Sequence, residues 1–411
     1  MINERKMVQF GAGNIGRSFI GQLFARAGYE VVFVDVVDEV VNALNERRSY
    51  TVEVRDRNPE TLLVENVRAV HGADKDAVVT ELTDCRLCAT AVGPKALVAI
   101  QPALAAAIFA RAERGLPPLD VILCENLRDA AAFMAEGLAE KLPVGFPLAE
   151  RVGLVETSIG KMVPIMPDEV RRQDPLLVYA EAYNTLICDR AAFLNPVPDV
   201  PGLDARQNMT AYVDRKSFVH NFGHALCAYF AHLEAPELVY TWQAVEHPTV
   251  GPATRAGMWE SARALIAQYP EEFDEAHMDA HIEDLLSRFC NQALGDTIYR
   301  VGRDVPRKLS REDRVIGPLL LEIEQCGVPG PMTALCAAAG MRFRALDEQG
   351  QPFGPDIEFA EKVYSRGPEF VLRETCGLDC TREPDRTACD AVLSAHADLL
   401  RRLTSGASIF G

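Results

Sequence analysis

The sequence is poor in basic charge: 42 Lys and Arg residues stand against 59 Asp and Glu residues, which gives a formal net charge of −17. Proteins that bind nucleic acid or an anionic membrane surface need a basic face, so both functions are excluded. No apolar run approaches the ~18–20 residues of a membrane span. The start, MINERKMVQF, has no long apolar segment before a small-residue cleavage site. We therefore expect a cytoplasmic protein.

The chain also lacks a regular cysteine framework. Its 11 cysteines are odd in number and scattered, and most lie inside apolar runs. This usage is typical of reduced thiols rather than of disulfides. We expect the three cysteines nearest the C-terminus, Cys376, Cys380 and Cys389, to be buried thiols.

Two spacings resemble metal sites, and we predict that neither holds a metal. Cys85-x2-Cys88 has no second pair at ribbon spacing, and on a strand these side chains should point to opposite faces. His277-x3-His281 is an i,i+4 pair, but it lacks the zincin glutamate and lies in an acidic segment.

The first half of the chain alternates short β-rich runs with helix-length stretches. MVQF, YEVVFVD, CRLCATAV, LDVILCEN, GLVETSI and LLVYAEAY read as strands, most of them followed by a helical pattern. Such alternation predicts a parallel sheet with helices on both faces. Three prolines in NPVPDVPGLD mark a boundary, and beyond it the pattern is almost wholly helical. We therefore predict an α/β fold: residues 1–195 form a nucleotide-binding domain, and residues 196–411 form a mainly α-helical substrate and catalytic domain.

The stretch VQFGAGNIGRSF places Gly11, Gly13 and Gly16 at a strand-to-helix turn. The first glycine allows the tight turn, the second lets the backbone approach a pyrophosphate, and the third lets helix and strand pack closely. VVFVD then ends in Asp35, nineteen residues after Gly16, where a carboxylate can bind ribose hydroxyls and would repel a 2′-phosphate. The pattern predicts a Rossmann-type domain that binds NAD rather than NADP. The alternative is a purely structural turn.

The second candidate site is the stretch VDRKSFVHNFGHALCAYF, residues 213–230. On an α-helix, His220, His224 and Asn221 lie about 40°, 80° and 140° around from Lys216, so all four share one sector. A desolvated lysine can act as a general base, and an amide N–H and an imidazole can hold substrate oxygens. The alternative is an ordinary solvated helix face.

The combination resembles the polyol-specific long-chain dehydrogenases, which carry the motif Lys-x4-Asn-x2-His. The resemblance runs over nearly the whole chain through FGAGNIGR, NERRSY, TAVGP, CEN, PGL, RKSF…N-x-GHA, RVGR…RKLS-x-x-DR-x-I-x-PLL and AAAGM. It is strongest to the branch that acts on mannitol 1-phosphate. The resemblance implies metal-independent, reversible hydride transfer between NAD and a polyol, here mannitol 1-phosphate, which yields fructose 6-phosphate.

The resemblance also implies roles for individual residues. Lys216 is the base, Asn221 and Asn126 hold the alkoxide, and His224 anchors a substrate oxygen. The alternative for Asn126 is a helix N-cap. The nicotinamide is expected to meet Lys216 in a cleft between the domains. The residues predicted to bind the cofactor are Gly11, Ala12, Gly13, Asn14, Ile15, Gly16, Asp35, Thr90 and Val92.

Two departures from the family pattern bear on the substrate. His220 replaces a usually apolar residue, and it either is tolerated, contacts substrate or tunes Lys216. The second departure is Ile159-Gly160-Lys161, which stands in the family's Val-Asp-Arg-Ile-Val-Pro stretch, so that the acidic residue is lost and lysine replaces arginine. Because that loop should border the substrate, the change affects substrate identity more than reaction type.

The segment RVGRDVPRKLSREDR, residues 300–314, has six basic side chains. We predict that Arg307 and Lys308 grip a substrate phosphate; the alternative is an ion-paired loop. Free mannitol, another polyol or a hexuronate-related sugar acid would also suit the same reaction, and a silent NAD-binding sensor is the competing interpretation. The 6-phosphogluconate dehydrogenase group also places lysine and asparagine on a helix, but with three residues between them. The expected partner is a small polyol or polyol phosphate, and the expected state is a monomer or small homo-oligomer.

Overall fold

The computed structural model describes residues 2–164 and 166–411 and divides them into two compact units, with the division between Val213 and Asp214. The first unit contains all the strands: β1 Asn3–Phe10, β2 Glu30–Asp35, β3 Ser49–Val54, β4 Glu60–Glu65, β5 Val67–His71, β6 Cys85–Thr90, β7 Leu119–Leu123, β8 Val152–Ser158, β9 Val178–Ala180, β10 Leu186–Asp189 and β11 Leu203–Arg206. Its helices are α1 Gln22–Arg26, α2 Asp38–Arg47, α3 Lys75–Thr83, α4 Pro94–Glu113, α5 Ala130–Ala139, α6 Leu148–Arg151 and α7 Asp168–Gln173.

The main sheet has the order β11-β10-β8-β7-β6-β1-β2-β5. Every neighbouring pair from β8 to β5 is parallel, and β10 runs antiparallel to β8. Strand β2 shows why this sheet is covered on both faces: Val31 and Phe33 enter one hydrophobic cluster, while Val32 and Val34 enter the other. Both alternating faces are apolar, as expected for a buried parallel strand. The predicted Rossmann-type sheet is confirmed.

A second, three-stranded sheet was not predicted. It has the order β4-β3-β9, with β3 antiparallel to β4 and parallel to β9. The stretch LLVYAEAY, expected in the main sheet, therefore contributes β9 to this smaller one.

The predicted boundary after Asn195 comes too early. Beyond the proline-rich stretch, β11 still pairs in parallel with β10, and this pairing keeps the chain up to Val213 in the first unit.

One helix of the first unit corrects the statement about apolar runs. Helix α4 is long and apolar enough to cross a membrane. Its residues Leu97, Leu104 and Ile108 nevertheless pack in the hydrophobic cluster on one face of the main sheet, and core helices often pass the same length and composition test.

The second unit is helical, as predicted. Helix α8, Met209–Arg215, crosses the boundary, and the others are α9 Phe222–Glu234, α10 Thr241–Glu246, α11 Val250–Gln268, α12 Glu275–Phe289, α13 Ile298–Gly302, α14 Val305–Lys308, α15 Ile316–Cys326, α16 Pro331–Gly340, α17 Gly354–Glu358, α18 Pro368–Glu374 and α19 Asp385–Ser405. Short 3-10 turns lie at Gln292–Leu294 and Tyr364–Arg366. Helix α9 is central, because it packs against α10, α11, α13 and α16.

The expectation of reduced thiols fails at one place in this unit. Cys380 and Cys389 form a disulfide, with their Cα atoms 5.7 Å apart. Cys376 is a buried free thiol, as predicted. The spacing of nine residues did not indicate the bridge, because it depends on how the chain turns before α19.

Two buried carboxyl groups meet at the start of α16. Glu322 accepts hydrogen bonds from the Gly330 N–H and the Thr333 hydroxyl, both at 2.7 Å. Glu260 accepts from the Met332 and Thr333 N–H groups, and its Oε2 lies 3.1 Å from the same hydroxyl. A hydroxyl has only one proton to donate, so a proton on one of the two carboxyl groups would let both contacts be hydrogen bonds. Burial accordingly raises the pKa of Glu322 to about 8.

We predict that Glu322→Gln flattens the pH dependence of stability. The folded chain holds the Glu322 proton more tightly than the unfolded chain, where the pKa is 4.5. Wild-type stability should therefore fall as the pH rises from about 4.5 to about 8. A glutamine amide can donate to Thr333 and accept from Gly330 without titrating. Melting temperatures between about pH 5 and pH 8 test this.

The matched control is Glu283→Gln, which changes an exposed carboxylate that pairs with Arg255. The control should keep the wild-type slope of melting temperature against pH. Equal slopes for all three proteins would contradict the assignment of the proton to Glu322.

Candidate functional site

The carboxyl ends of β1, β6 and β7 lie side by side at one edge of the main sheet. From β1 the chain proceeds to β2 on one side, while β6 lies on the other side. An open parallel sheet binds ligands at such a switch point, outside the carboxyl ends of its strands.

The three glycines of the first turn have different surroundings. Gly11 has a φ of +89°, and a Cβ there would collide with the Ala91 carbonyl oxygen. A Cβ at Gly16 would collide with the Gly11 carbonyl oxygen, whereas a Cβ at Gly13 would meet nothing within 4 Å. The first and third glycines thus serve the protein's own packing, and the second leaves open space beside the backbone. That combination fits a pyrophosphate held against the turn.

Asp35 is placed at the end of β2, as predicted, and it also supports the turn. Its Oδ2 accepts a hydrogen bond from the Ala12 N–H at 2.6 Å, and its Oδ1 accepts from the N–H groups of Val36 at 2.7 Å and Val37 at 3.1 Å. Oδ2 has a further lone pair, whereas both lone pairs of Oδ1 are used. Ribose hydroxyls can therefore be bound in addition, and that role of Asp35 stays a prediction.

Glu125 is a residue that the sequence reasoning missed. It is 6% exposed and accepts hydrogen bonds from the N–H groups of Val92 at 3.0 Å and Gly93 at 2.8 Å. It therefore holds the loop after β6, which contains the predicted contact Val92 and directly follows the predicted contact Thr90. Thr90 is fully buried, and its hydroxyl has no partner among the described residues. An acidic residue directly after a buried strand was the available signal.

Asn126 is exposed and follows Glu125 at the carboxyl end of β7. Helix α5 begins later, at Ala130, and its N-cap residue is Asp129. The helix N-cap interpretation of Asn126 is therefore not realised, and its predicted catalytic role stays a prediction.

In the second unit, Lys216 and Asn221 are the first and last residues of a π-helical turn. Lys216–Asn221 joins α8 directly to α9. The predicted angles assumed α-helical geometry, in which the two residues are about 140° apart. A π-helix instead bonds residue i to residue i+5, so Asn221 follows Lys216 by one turn. The Lys-x4-Asn spacing equals this repeat, and both residues share a face more closely than predicted.

Burial lowers the pKa of Lys216 to about 8. The positive charges of Arg314 and Arg307 act in the same direction, and the carboxylate of Asp313 opposes them. A lysine with this pKa gives up its proton near neutrality and can accept one from a substrate hydroxyl.

His220 and the motif histidine His224 form a ring cluster with Phe289, the last residue of α12. His224 stacks on Phe289 with ring centroids 4.1 Å apart and planes inclined by 27°, and His220 lies 5.2 Å from His224. Burial holds the pKa of both imidazoles well below the ordinary value, so both are neutral. The Nε2 atom of His224 is buried and has no partner among the described residues. His220 is buried within the cluster, and its contact with the substrate stays a prediction.

The two predicted phosphate ligands are engaged within the protein. The Arg307 guanidinium pairs with Asp304 at 2.5 Å and Asp313 at 3.0 Å. Lys308 is only 4% exposed and donates to the Val301 carbonyl oxygen at 2.5 Å. For Arg307 the ion-paired alternative thus describes the geometry better than the predicted phosphate grip.

The remaining cations of residues 300–314 follow the same pattern. Arg300 pairs with Asp296, Arg311 with Asp385 and Arg314 with Asp313, and Arg303 lies over the rings of Tyr299 and Phe353. Carboxylates or aromatic rings of the same unit therefore already contact this segment.

Lys161, the second departure, has a structural partner set. It is 8% exposed, and its ammonium group donates to the carbonyl oxygens of Glu181 at 3.1 Å and Tyr183 at 2.6 Å and to the Asn184 side chain at 3.1 Å. It thus ties the segment after β8 to the segment after β9.

The candidate metal pairs do not form clusters. Cys85 and Cys88 are buried free thiols in one hydrophobic cluster, which corrects the expectation of opposite faces, since β1 and β6 pair with an irregular register there. His277 points to Asp274 at the surface, while the Nε2 of His281 is buried. Within residues 2–164 and 166–411, no group of three or more His, Cys, Asp or Glu side chains could hold a metal ion.

Two family models match this chain. One, described as the mannitol dehydrogenase Rossmann domain, matches residues 5–202, and one described as the mannitol dehydrogenase C-terminal domain matches residues 208–368.

Solved structures share the fold. Pseudomonas fluorescens mannitol 2-dehydrogenase, in a ternary complex with NAD and D-mannitol, has a TM-score of 0.72 and 16% identity, over 98% of this chain and 93% of that chain. A D-sorbitol dehydrogenase in substrate-free form has a TM-score of 0.76 and 15% identity, over 99% and 95%.

We predict that Gly13→Ala weakens NAD binding without destabilising the fold. The added methyl group meets no protein atom within 4 Å, so it should interfere only with a ligand that approaches the turn. We expect the NAD dissociation constant to rise about tenfold or more, which corresponds to about 1.4 kcal/mol, with an unchanged melting temperature. Titration calorimetry and thermal melts measure the two quantities.

Gly354→Ala is the control, because a Cβ there also meets nothing within 4 Å and the residue lies in the other unit. It should leave NAD binding unchanged. Wild-type NAD affinity in Gly13→Ala would argue against a pyrophosphate at this turn.

Proposed function

Because this chain belongs to the mannitol dehydrogenase family, we propose that it is an NAD-dependent polyol dehydrogenase in which Lys216 is the general base. The observation that carries the proposal is a lysine whose pKa is lowered to about 8, one π-helical turn before Asn221. A silent NAD-binding sensor would have no use for that arrangement.

The proposed reaction distributes its roles over both units. NAD, when bound at the glycine turn, supplies the acceptor for a hydride from the carbinol carbon. Lys216, as a neutral amine, accepts the proton of the hydroxyl group. The Asn221 amide, together with Asn126, donates hydrogen bonds to the oxygen as it gains negative charge. The neutral imidazole of His224 binds a neighbouring hydroxyl through Nε2.

For the substrate, we propose an unphosphorylated linear polyol. The cations of residues 300–314 that were expected to hold a phosphate already contact carboxylates, rings or a backbone carbonyl. A phosphate dianion would have to displace Asp304 and Asp313 from Arg307. Two solved structures that share this fold are named for mannitol and sorbitol.

The second candidate is the conversion of mannitol 1-phosphate to fructose 6-phosphate. The order and spacing of RVGR…RKLS-x-x-DR-x-I-x-PLL favour it, because this stretch resembles the phosphate branch, in which Arg-Lys-Leu recurs in this position. A sugar acid is the third candidate, since the acidic residue expected at Gly160 is lost.

We predict that Lys216→Ala lowers turnover about 10²–10⁴-fold, which is the usual contribution of a general base, and leaves NAD affinity within a few fold. In the wild type, kcat/KM for polyol oxidation should rise with pH around a midpoint near 8, because only the neutral amine accepts a proton. Initial rates of NADH formation across the pH range provide both readouts.

Lys362→Ala serves as the control, since it removes an exposed lysine of the same unit that pairs with Glu358. Its rates should match the wild type. Near-normal turnover by folded Lys216→Ala would refute the assignment.

A substrate panel separates the candidates. We expect mannitol, sorbitol or arabitol to give higher kcat/KM than mannitol 1-phosphate or sorbitol 6-phosphate, and altronate tests the sugar-acid candidate. Arg307→Ala should not raise the KM for the free polyol. A preference for mannitol 1-phosphate, with a KM that rises several fold in Arg307→Ala, would support the second candidate instead.

A further inference from the structure

We infer that Phe289 is a positioning residue that holds the imidazole of His224 in the orientation needed to bind the polyol. This inference rests on the proposed function, because it assigns His224 to substrate. Phe289 is 1% exposed and ends α12. Its ring lies nearer to His224 than the ring of His220 does, with centroids 4.1 Å apart and planes inclined by 27°.

Ring packing restrains the imidazole of His224. Histidines at functional sites are commonly oriented by a hydrogen bond to one ring nitrogen. The Nε2 of His224 has no such partner among the described residues, although it is buried. The three rings form a compact cluster, in which the tilted ring of His220 lies 5.2 Å from the His224 ring and 5.9 Å from the Phe289 ring. Stacking of this kind limits rotation of the imidazole and leaves Nε2 for a ligand.

The chain around Phe289 is built for a flat ring at this place. Gly223 precedes His224, and a Cβ there would come within 3.0 Å of the Met258 side chain and 3.2 Å of the Phe289 ring. The missing side chain therefore lets the ring approach α9. The Phe289 carbonyl oxygen accepts a hydrogen bond from the buried Thr241 hydroxyl at 3.2 Å, which fixes the end of α12.

The test compares Phe289→Leu with Phe289→Tyr. Leucine keeps apolar volume but has no flat face, and tyrosine keeps the ring. We expect Phe289→Leu to raise the KM for the polyol about five- to tenfold with a smaller change in kcat, because binding in ground state and transition state is weakened alike. NAD affinity and the pH midpoint of kcat/KM should not move. Phe289→Tyr should restore the wild-type KM.

Phe343→Leu is the matched control. Phe343 is equally buried at 1%, but it packs on Tyr229 and His232 rather than on His224. It should lower the melting temperature by a comparable amount without raising KM. Equal KM values for Phe289→Leu and Phe343→Leu would overturn the inference.

Nuclear magnetic resonance of ring-labelled histidine separates this inference from the proposed function. If the wild type oxidises no polyol, the proposed function fails, and the His224 resonances still report on its ring. A large shift or broadening of these resonances in Phe289→Leu, absent in Phe343→Leu, supports the positioning role. Unchanged His224 resonances in Phe289→Leu overturn it.

Discussion

One widened helical turn sets the relation between Lys216 and Asn221, and the chemistry proposed for the second unit depends on it. Helices α8 and α9 would form one continuous α-helix if the turn between them were not π-helical. In that α-helix the ammonium and amide groups would diverge by about 140°. The i→i+5 pattern of the π-helix brings them onto successive turns of one face. Such turns are rare and occur frequently at functional sites. A second one, Gly16–Gly21, begins at the third glycine of the dinucleotide turn, although a third, Phe359–Val363, has no assigned role.

Removal from water lowers the pKa of the nitrogen bases in this part of the chain. Lys216 is surrounded by Arg314 and Arg307 as well as Asp313, and desolvation together with the two guanidinium groups outweighs the carboxylate and lowers its pKa. The same desolvation keeps His220 and His224 neutral. A set of neutral nitrogen bases suits the acceptance of a hydroxyl proton and the binding of neutral hydroxyls. It suits a phosphate dianion less, because the nearby cations are already paired.

The parts of the fold that follow from local pattern were predictable. The glycine turn, the strand ending in Asp35 and the helical second half are read from short stretches, and the family resemblance is confirmed. The sheet β4-β3-β9 and the pairing of β11 with β10 arise between distant segments, so neither the smaller sheet nor the boundary at Val213 could be inferred from composition. The angle between Lys216 and Asn221 was wrong because regular α-geometry was assumed. Glu125 was missed because its partners, Val92 and Gly93, lie more than thirty residues earlier.

Several of the acidic residues that contribute to the net charge of −17 have a structural role. Several carboxylates hold backbone N–H groups of loops: Asp35 holds Ala12, Glu125 holds the loop after β6, Asp120 holds Leu194 and Asn195, and Asp356 holds Asp304 and Val305. Two of these carboxylates lie at the edge of the sheet where the dinucleotide turn is. Because the Ala12 N–H is engaged by Asp35, a pyrophosphate at this turn must bind N–H groups further along, beside the open space at Gly13. The carboxylates therefore hold the loops through hydrogen bonds within the protein. The pyrophosphate is expected to bind to other backbone N–H groups and to the start of the helix.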